Sequence, residues 1–316
     1  MKHFLKGMIA SGLLLSTLTA VNVNAHDHLP DVPNGAEAVS FMGQPIAENY
    51  SQSERMLALY EKAKADYEAN PDDVMAHIWY GRRTAYLGRY RAAIDVFTKA
   101  IEKFPDDERL YRHRGHRYIS IRDLDRSLAD YQMAAMLMAY KDNAIEPDGL
   151  PNAQNIPLST TQGNIWYHYG LAHYLKQEWE PAFRAFSNGR KINNNDDNLV
   201  SVTHWRYMIL RRQGKQEEAN AVLDVIRPDM TIIENQSYYD LCKLYAGMIG
   251  VEDLGEINAE DPSNASIAYG LANWYYYNGD KTKAKSLLMD IMKGSSKMSF
   301  GYIAAEADLA KADWSE

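Results

Sequence analysis

The feature that most restricts this chain is an internal repeat. Residues 74–107, 108–141 and 163–189 align position by position. Each has a glycine at its eighth position, Gly81, Gly115 and Gly170. Nine residues later comes a large side chain, Tyr90, Leu124 and Trp179, then after three more a small one, Ala93, Ser127 and Ala182. Four further on stands an aromatic, Phe97, Tyr131 and Phe186. A period of this length describes a helix–turn–helix unit that cannot bury its apolar face alone and must stack on its neighbours. The small residues let the two helices approach closely, and the aromatics fill the remaining gaps.

This pattern is similar to the tetratricopeptide repeat (TPR), a 34-residue helix pair. The resemblance covers residues 53–312 and implies an all-α, TPR-type α-solenoid of antiparallel helix pairs with capping helices and one long inserted loop. Repeats fall near 74–107, 108–141, 163–196, 200–230 and 265–298. A degenerate repeat at 231–264 is interrupted by Gly247, Gly250 and Gly255. Ser53–Ala69 and Phe300–Ala310 read as lone helices that cover the exposed ends of the array, as solenoids require. The segments RHRGHRY, DGLPNAQNIPLST and NIWYHYGLAHYL together resemble an exported bacterial TPR family.

Export also follows from residues 1–25. Lys2 and Lys6 precede an apolar stretch from Met8 to Val21, and Ala25 stands where a signal peptidase cuts. The apolar run is shorter than a membrane span requires. Cleavage would remove two lysines and no acid, moving the formal net charge from -8 to -10. The mature chain is therefore expected in the periplasm or secreted, with no remaining membrane span. Its acidity argues against a nucleic-acid partner. The single cysteine, Cys242, excludes an internal disulfide and a cysteine-built zinc site.

Two segments stand outside the repeat. Residues 26–52 are polar, with scattered proline and glycine, and are expected to be extended. Residues 142–162 form a long insertion in which Pro147, Pro151 and Pro157 forbid a continuous helix. Ile145, Leu150, Ile156 and Leu158 give this segment apolar anchors, so it is expected to be an ordered flap over the concave face.

In TPR proteins the first helix of each pair lines a concave groove. Carried onto this chain, the resemblance assigns Arg82, Tyr86, Arg109, Arg112, His116, Asn164, Tyr167, His204, Arg211 and Arg212 to groove-facing positions. Asn152 joins them from the flap. No acid occurs among them, and a cationic, aromatic groove focuses field on anions. Arg114 occupies a position where TPR units place an apolar residue, so it needs a carboxylate partner, with Asp123, Asp125 and Asp130 as the candidates. His26 and His28 at the mature N-terminus offer a weak nitrogen site for Cu(II) or Ni(II); no other metal and no cofactor is implied.

The function these residues imply is an exported binding module. Its partner would be an anionic or extended protein or peptide, or an acidic small molecule or glycan. Competing readings are an enzyme acting on an acidic substrate through Arg, His and Tyr, and a structural assembly adaptor. Catalysis has the weaker support, since no nucleophile motif or phosphate-cradling loop is present.

Overall fold

The structure is a computed structural model that describes residues 29–47, 50–192, 195–255, 262–311 and 314. The expected signal peptide and the His26/His28 pair lie outside the described residues. The chain divides after Pro30, and the unit from Asp31 to Glu316 carries the fold. Among the described residues no helix is long and apolar enough to cross a membrane.

Helix α1 (Glu54–Ala69) precedes the pairs α2 (Val74–Tyr86) with α3 (Tyr90–Lys103) and α4 (Glu108–Ser120) with α5 (Leu124–Leu137). Pairs α6 (Thr161–Leu175) with α7 (Trp179–Ile192) and α8 (Asp196–Arg212) with the short α9 (Gln216–Val222) follow. Among the described residues, helix α10 (Gln236–Tyr245) is followed by a 3-10 turn at Val251–Leu254. Pair α11 (Pro262–Tyr277) with α12 (Lys281–Ile291) precedes the last helix, α13 (Phe300–Lys311).

The pairs close as the repeat predicts. A methyl group on Gly81 would lie 2.5 Å from the ring of Phe97, and one on Gly170 would lie 2.8 Å from Phe186. Such contacts are shorter than carbon atoms tolerate, so these two sites accept only hydrogen. Caps are local and chemical: Asp73, Asp107, Asp123, Thr160 and Asn195 each accept a backbone N–H in the first turn of the helix that follows.

Two elements depart from the expectation. Residues 36–47 are not merely extended. They form an antiparallel hairpin of β1 (Ala36–Val39) and β2 (Pro45–Ala47), with Ala36 opposite Ala47 and Val39 opposite Pro45. Ala38 and Ile46 are buried. The Glu37 carboxylate accepts the Arg91 N–H at 2.9 Å and the Tyr50 hydroxyl at 3.0 Å. Since Arg89 caps α3 with no side-chain bond, Glu37 supplies from a distant segment the negative charge that a helix N-terminus favours.

The second departure is α13, which is not a terminal cap. Gly301 to Asp308 are all buried. The helix shares one apolar core with Ile119 of α4, Ile165 and Tyr174 of α6, Trp205 of α8 and Tyr269 of α11. A cap needs a polar outer face. This helix has small or apolar residues on every side, Gly301, Ile303, Ala304, Ala305 and Ala307, and a helix apolar all round belongs inside. Its two acids are neutralised there. Glu306 takes Arg122 at 2.9 Å and the Phe41 N–H at 2.7 Å. Asp308 takes Arg212 at 2.5 Å and the Tyr269 hydroxyl at 2.9 Å. The space beside α6, α11 and α12 is thus filled from within the chain.

Candidate functional site

The insertion is ordered and closed on itself. Glu146 N–H donates to Ser159 and Thr161 N–H to Ala144, giving an antiparallel bridge at Ile145 and Thr160. Asn195 and Asn198, at the start of α8, both donate to the Leu158 carbonyl. At the other end the insertion lies on α2 and α4. Arg82 donates to the Pro147 carbonyl at 2.8 Å, Arg83 to the Gly149 carbonyl at 2.8 Å, and Arg112 pairs with Glu146 at 3.0 Å.

Beneath this contact Arg82, Tyr86, Arg112 and His116 line one cavity of about 90 Å³ together with His113, Arg117, Ala85 and Phe97. A larger cleft of about 390 Å³ adjoins it and shares Arg82 and His113. Met75 and Ile78 of α2, Asp107 and Arg109, and Ile145 to Pro147 of the insertion also line that cleft.

Asn152, Asn164, Tyr167, His204, Arg211 and Arg212 do not line either space, and the stripe does not make one cationic surface. Arg109 holds Asp107 through two bonds of 2.8 and 2.5 Å. Arg212 is committed to Asp308 and Asn273 and lies 4.4 Å over the Tyr276 ring. Arg211 donates to Tyr207, to the Tyr277 carbonyl and to Asn278, with its guanidinium 4.2 Å over the Tyr277 ring. The cause is common to them. A guanidinium on a packed helix face loses water, so the fold supplies an internal acid, carbonyl or ring.

The polar and aromatic members are structural as well. Asn152 uses its side chain to turn the insertion, bonding Gln154 and Ile156, and donates to Glu234 at 2.6 Å. Asn164 gives its carbonyl to His168 Nδ1–H at 2.7 Å. The Tyr167 hydroxyl accepts from Trp205 Nε1 at 2.9 Å and donates to Tyr238. His204 is buried, stacked 4.7 Å from Tyr238 and 5.8 Å from Tyr245, and burial pushes its pKa down to about 3. A base of that strength is poorly matched to proton transfer near neutral pH.

In the small cavity the charges are less balanced. Arg112 donates to His113 Nδ1 at 2.9 Å, since a guanidinium can only donate. Burial and then the neighbouring Arg112, Arg82 and Arg117 hold His113 well below the usual histidine range. Burial, then Arg117 and His168, do the same to His116, whose ring lies 4.6 Å from His168 and 5.4 Å from Phe300. Both imidazoles are therefore neutral. Arg117 has its guanidinium 5.7 Å over the Tyr90 ring and no ion pair among the described residues. Burial lowers its pKa. The sequence pattern missed Arg117 and Glu146 as site residues. RHRGHR was a signal for the first. Glu146, one of three acids in the insertion, had none beyond its charge.

Arg114 resolves to Asp130 alone, with bonds of 2.9 and 2.7 Å, and also donates to Thr98. Cys242 is a buried thiol whose pKa burial raises. Among the described residues no group of three or more His, Cys, Asp or Glu side chains is placed to hold a metal ion.

No family model matches the chain, and no curated protein does. Solved structures do. YrrB, a TPR protein with an unusual peptide-binding site, is 15% identical, with a TM-score of 0.42 over 78% of this chain and 96% of its own. A tetratricopeptide repeat protein from Parabacteroides merdae is 13% identical, with a TM-score of 0.49 over 80% of this chain and 92% of its own. TTC0263, a thermophilic TPR protein in Thermus thermophilus, is 14% identical, with a TM-score of 0.40 over 75% of this chain and 100% of its own. The stacking of helix pairs in this chain rests on its own Gly81/Phe97 and Gly170/Phe186 contacts.

Proposed function

We propose that this protein is an exported binding module whose partner is an extended protein or peptide segment. The observation that carries this reading is the adjacency of a filled and an open surface. Helix α13 packs into the core beside α6, α11 and α12. The α2/α4 end keeps a cleft of about 390 Å³ walled by Met75, Ile78, Arg109 and the insertion. Clefts of a few hundred Å³ are the usual size of a binding site, and this one mixes apolar walls (Met75, Ile145, Pro147) with charged ones. The cleft itself is not cationic: Arg82, Arg109 and Lys141 face Asp107, Glu108, Asp142 and Glu146. The anionic preference therefore narrows to whatever part of the partner reaches the neighbouring arginine cavity. Catalysis by a histidine base is disfavoured, because the burial of His113, His116 and His204 weakens all three as bases.

The test is a random-peptide display selection against the protein lacking residues 1–25. Recovered peptides are then measured by fluorescence anisotropy on wild type and on Met75→Arg and Ile145→Arg, two residues that line the cleft, Ile145 being exposed. The expected result is saturable binding that each variant weakens by about tenfold or more, the loss of one anchoring contact. Recovery of no binding peptide, or equal affinity for the variants, overturns the reading.

A further inference from the structure

The small cavity between α2, α4 and α3 is built from groups that a peptide-binding role does not use. Its volume of about 90 Å³ is several times the ~15 Å³ needed for one water. It is far below a drug-sized site. Three arginines line it, Arg82, Arg112 and Arg117. One carboxylate, Glu146, pairs with Arg112. Arg82 is met by a carbonyl, a hydroxyl and the Trp79 ring at 4.5 Å, not by an acid. Asp148 feels Arg82 only at a distance and forms no ion pair with it. Arg117 lies 5.7 Å over the Tyr90 ring and forms no ion pair among the described residues. Two guanidinium charges, buried Arg82 and half-buried Arg117, are thus left without a contacting acid among the described residues, an arrangement that an anion would complete.

Two further details fit an oxyanion. Arg112 Nε is buried with no hydrogen-bond partner, a free donor on a side chain only 8% exposed. Because His113 Nδ1 accepts from Arg112, its neutral ring carries the proton on Nε2 and is a second donor lining the cavity. Arginine forks match the oxygen edges of phosphate and sulfate.

We propose that the cavity is a binding site for a tetrahedral, doubly charged oxyanion, phosphate or sulfate, held by Arg82, Arg112 and Arg117 with His113 donating. A surplus of two positive charges selects a dianion over a monocarboxylate. The oxyanion is either a free ion or the end group of a larger ligand whose body lies in the adjoining cleft. The inference does not rest on the peptide-binding reading, because a free ion needs only the cavity.

The experiment is isothermal titration of the protein with inorganic phosphate at constant ionic strength, with acetate as the monoanion and O-phosphoserine as the esterified form. Phosphate is expected to bind saturably at one site and acetate at least tenfold more weakly. Arg117→Met removes an unpaired cation, so it is expected to fold at least as stably as wild type without phosphate. Its affinity for phosphate is expected to fall by about tenfold or more. Glu146→Gln removes the competing carboxylate and is expected to raise affinity several-fold. O-phosphoserine tighter than phosphate assigns the site to an end group; equal or weaker binding assigns it to the free ion. No saturable heat with phosphate, equal affinity for acetate, or unchanged phosphate binding in Arg117→Met overturns the proposal.

Discussion

Arg114 and Asp130 show how the fold handles charge at the scale of single residues. Burial opposes the guanidinium, but Asp130 outweighs it and holds Arg114 above its usual range. Burial raises the Asp130 carboxyl even with Arg114 beside it. The bidentate geometry makes the ion pair the state that matters. Removing one partner strands the other. Asp130→Ala is expected to lower unfolding free energy by about 3–5 kcal/mol in urea melts, while a Leu/Leu double replacement of Arg114 and Asp130 stays near wild type. Arg114→Met leaves an acid that burial already pushes upward, so its folded pKa exceeds its unfolded one. Such a group binds more protons when folded, and the stability it permits is lost as pH rises. The deficit of Arg114→Met relative to wild type should therefore shrink on going from about pH 7 to about pH 5. A deficit that grows on acidification would refute the buried-pair account. The need for a partner was legible in the sequence, because a charge stood at an apolar repeat position. The choice of Asp130 among three acids was not, since it depends on which turn of α5 faces α4.

At the scale of elements, the pairs α2/α3, α4/α5 and α6/α7 were readable because their signals are local: a glycine, a small residue and an aromatic at fixed offsets. Elements placed by long-range packing were less so. The hairpin at 36–47 carried a turn glycine, Gly43, but its alanines are weak strand formers. Helix α13 was legible as a helix and misplaced as a cap. The clue to its burial was composition on all faces, which the repeat pattern does not weigh. The same distance explains the arginine stripe, since the partner of Arg112 comes from the insertion and that of Arg212 lies 96 residues on. The docking of α13 rests on close backbone contact. A methyl group on Gly301 would lie 2.4 Å from the Ala265 carbonyl oxygen and 2.6 Å from its carbon. Backbone cannot move aside as a side-chain tip does. Gly301→Ala, which raises intrinsic helix propensity, is nonetheless expected to destabilise by about 1–3 kcal/mol through overpacking. Thermal melts measure the loss, and limited proteolysis should cut the chain earlier near residue 298. An unchanged or raised Tm would show that α13 does not seat against α11.

For the whole molecule, the consequence is a solenoid that does not behave as a row of neighbours. In a simple array each repeat touches only the next, so stability is a sum of local terms and the ends fray first. Here one carboxylate joins three distant segments. Glu306 of α13 binds Phe41 after β1, 265 residues away, and Arg122 between α4 and α5, 184 residues away. Glu306 is 0% exposed, so these bonds operate in a medium where their loss is costly. The 36–47 hairpin and α13 are thereby tied to the middle of the chain, and their opening is expected to coincide with global unfolding. Native-state hydrogen exchange tests this directly. In wild type, slow amides of the 36–47 hairpin and of α13 should exchange with the same free energy as those of α4 and α6. In Glu306→Ala the hairpin and α13 should become a separate, weaker unit, opening about 3–5 kcal/mol more easily because Arg122 is left buried and unpaired. The amides of α2 and α3, which do not contact Glu306, should lose much less. Equal losses at every helix would mean that the array unfolds as one block whatever Glu306 does. Fraying of α13 ahead of the rest in wild type would mean that its burial adds no lock to the hairpin and α13.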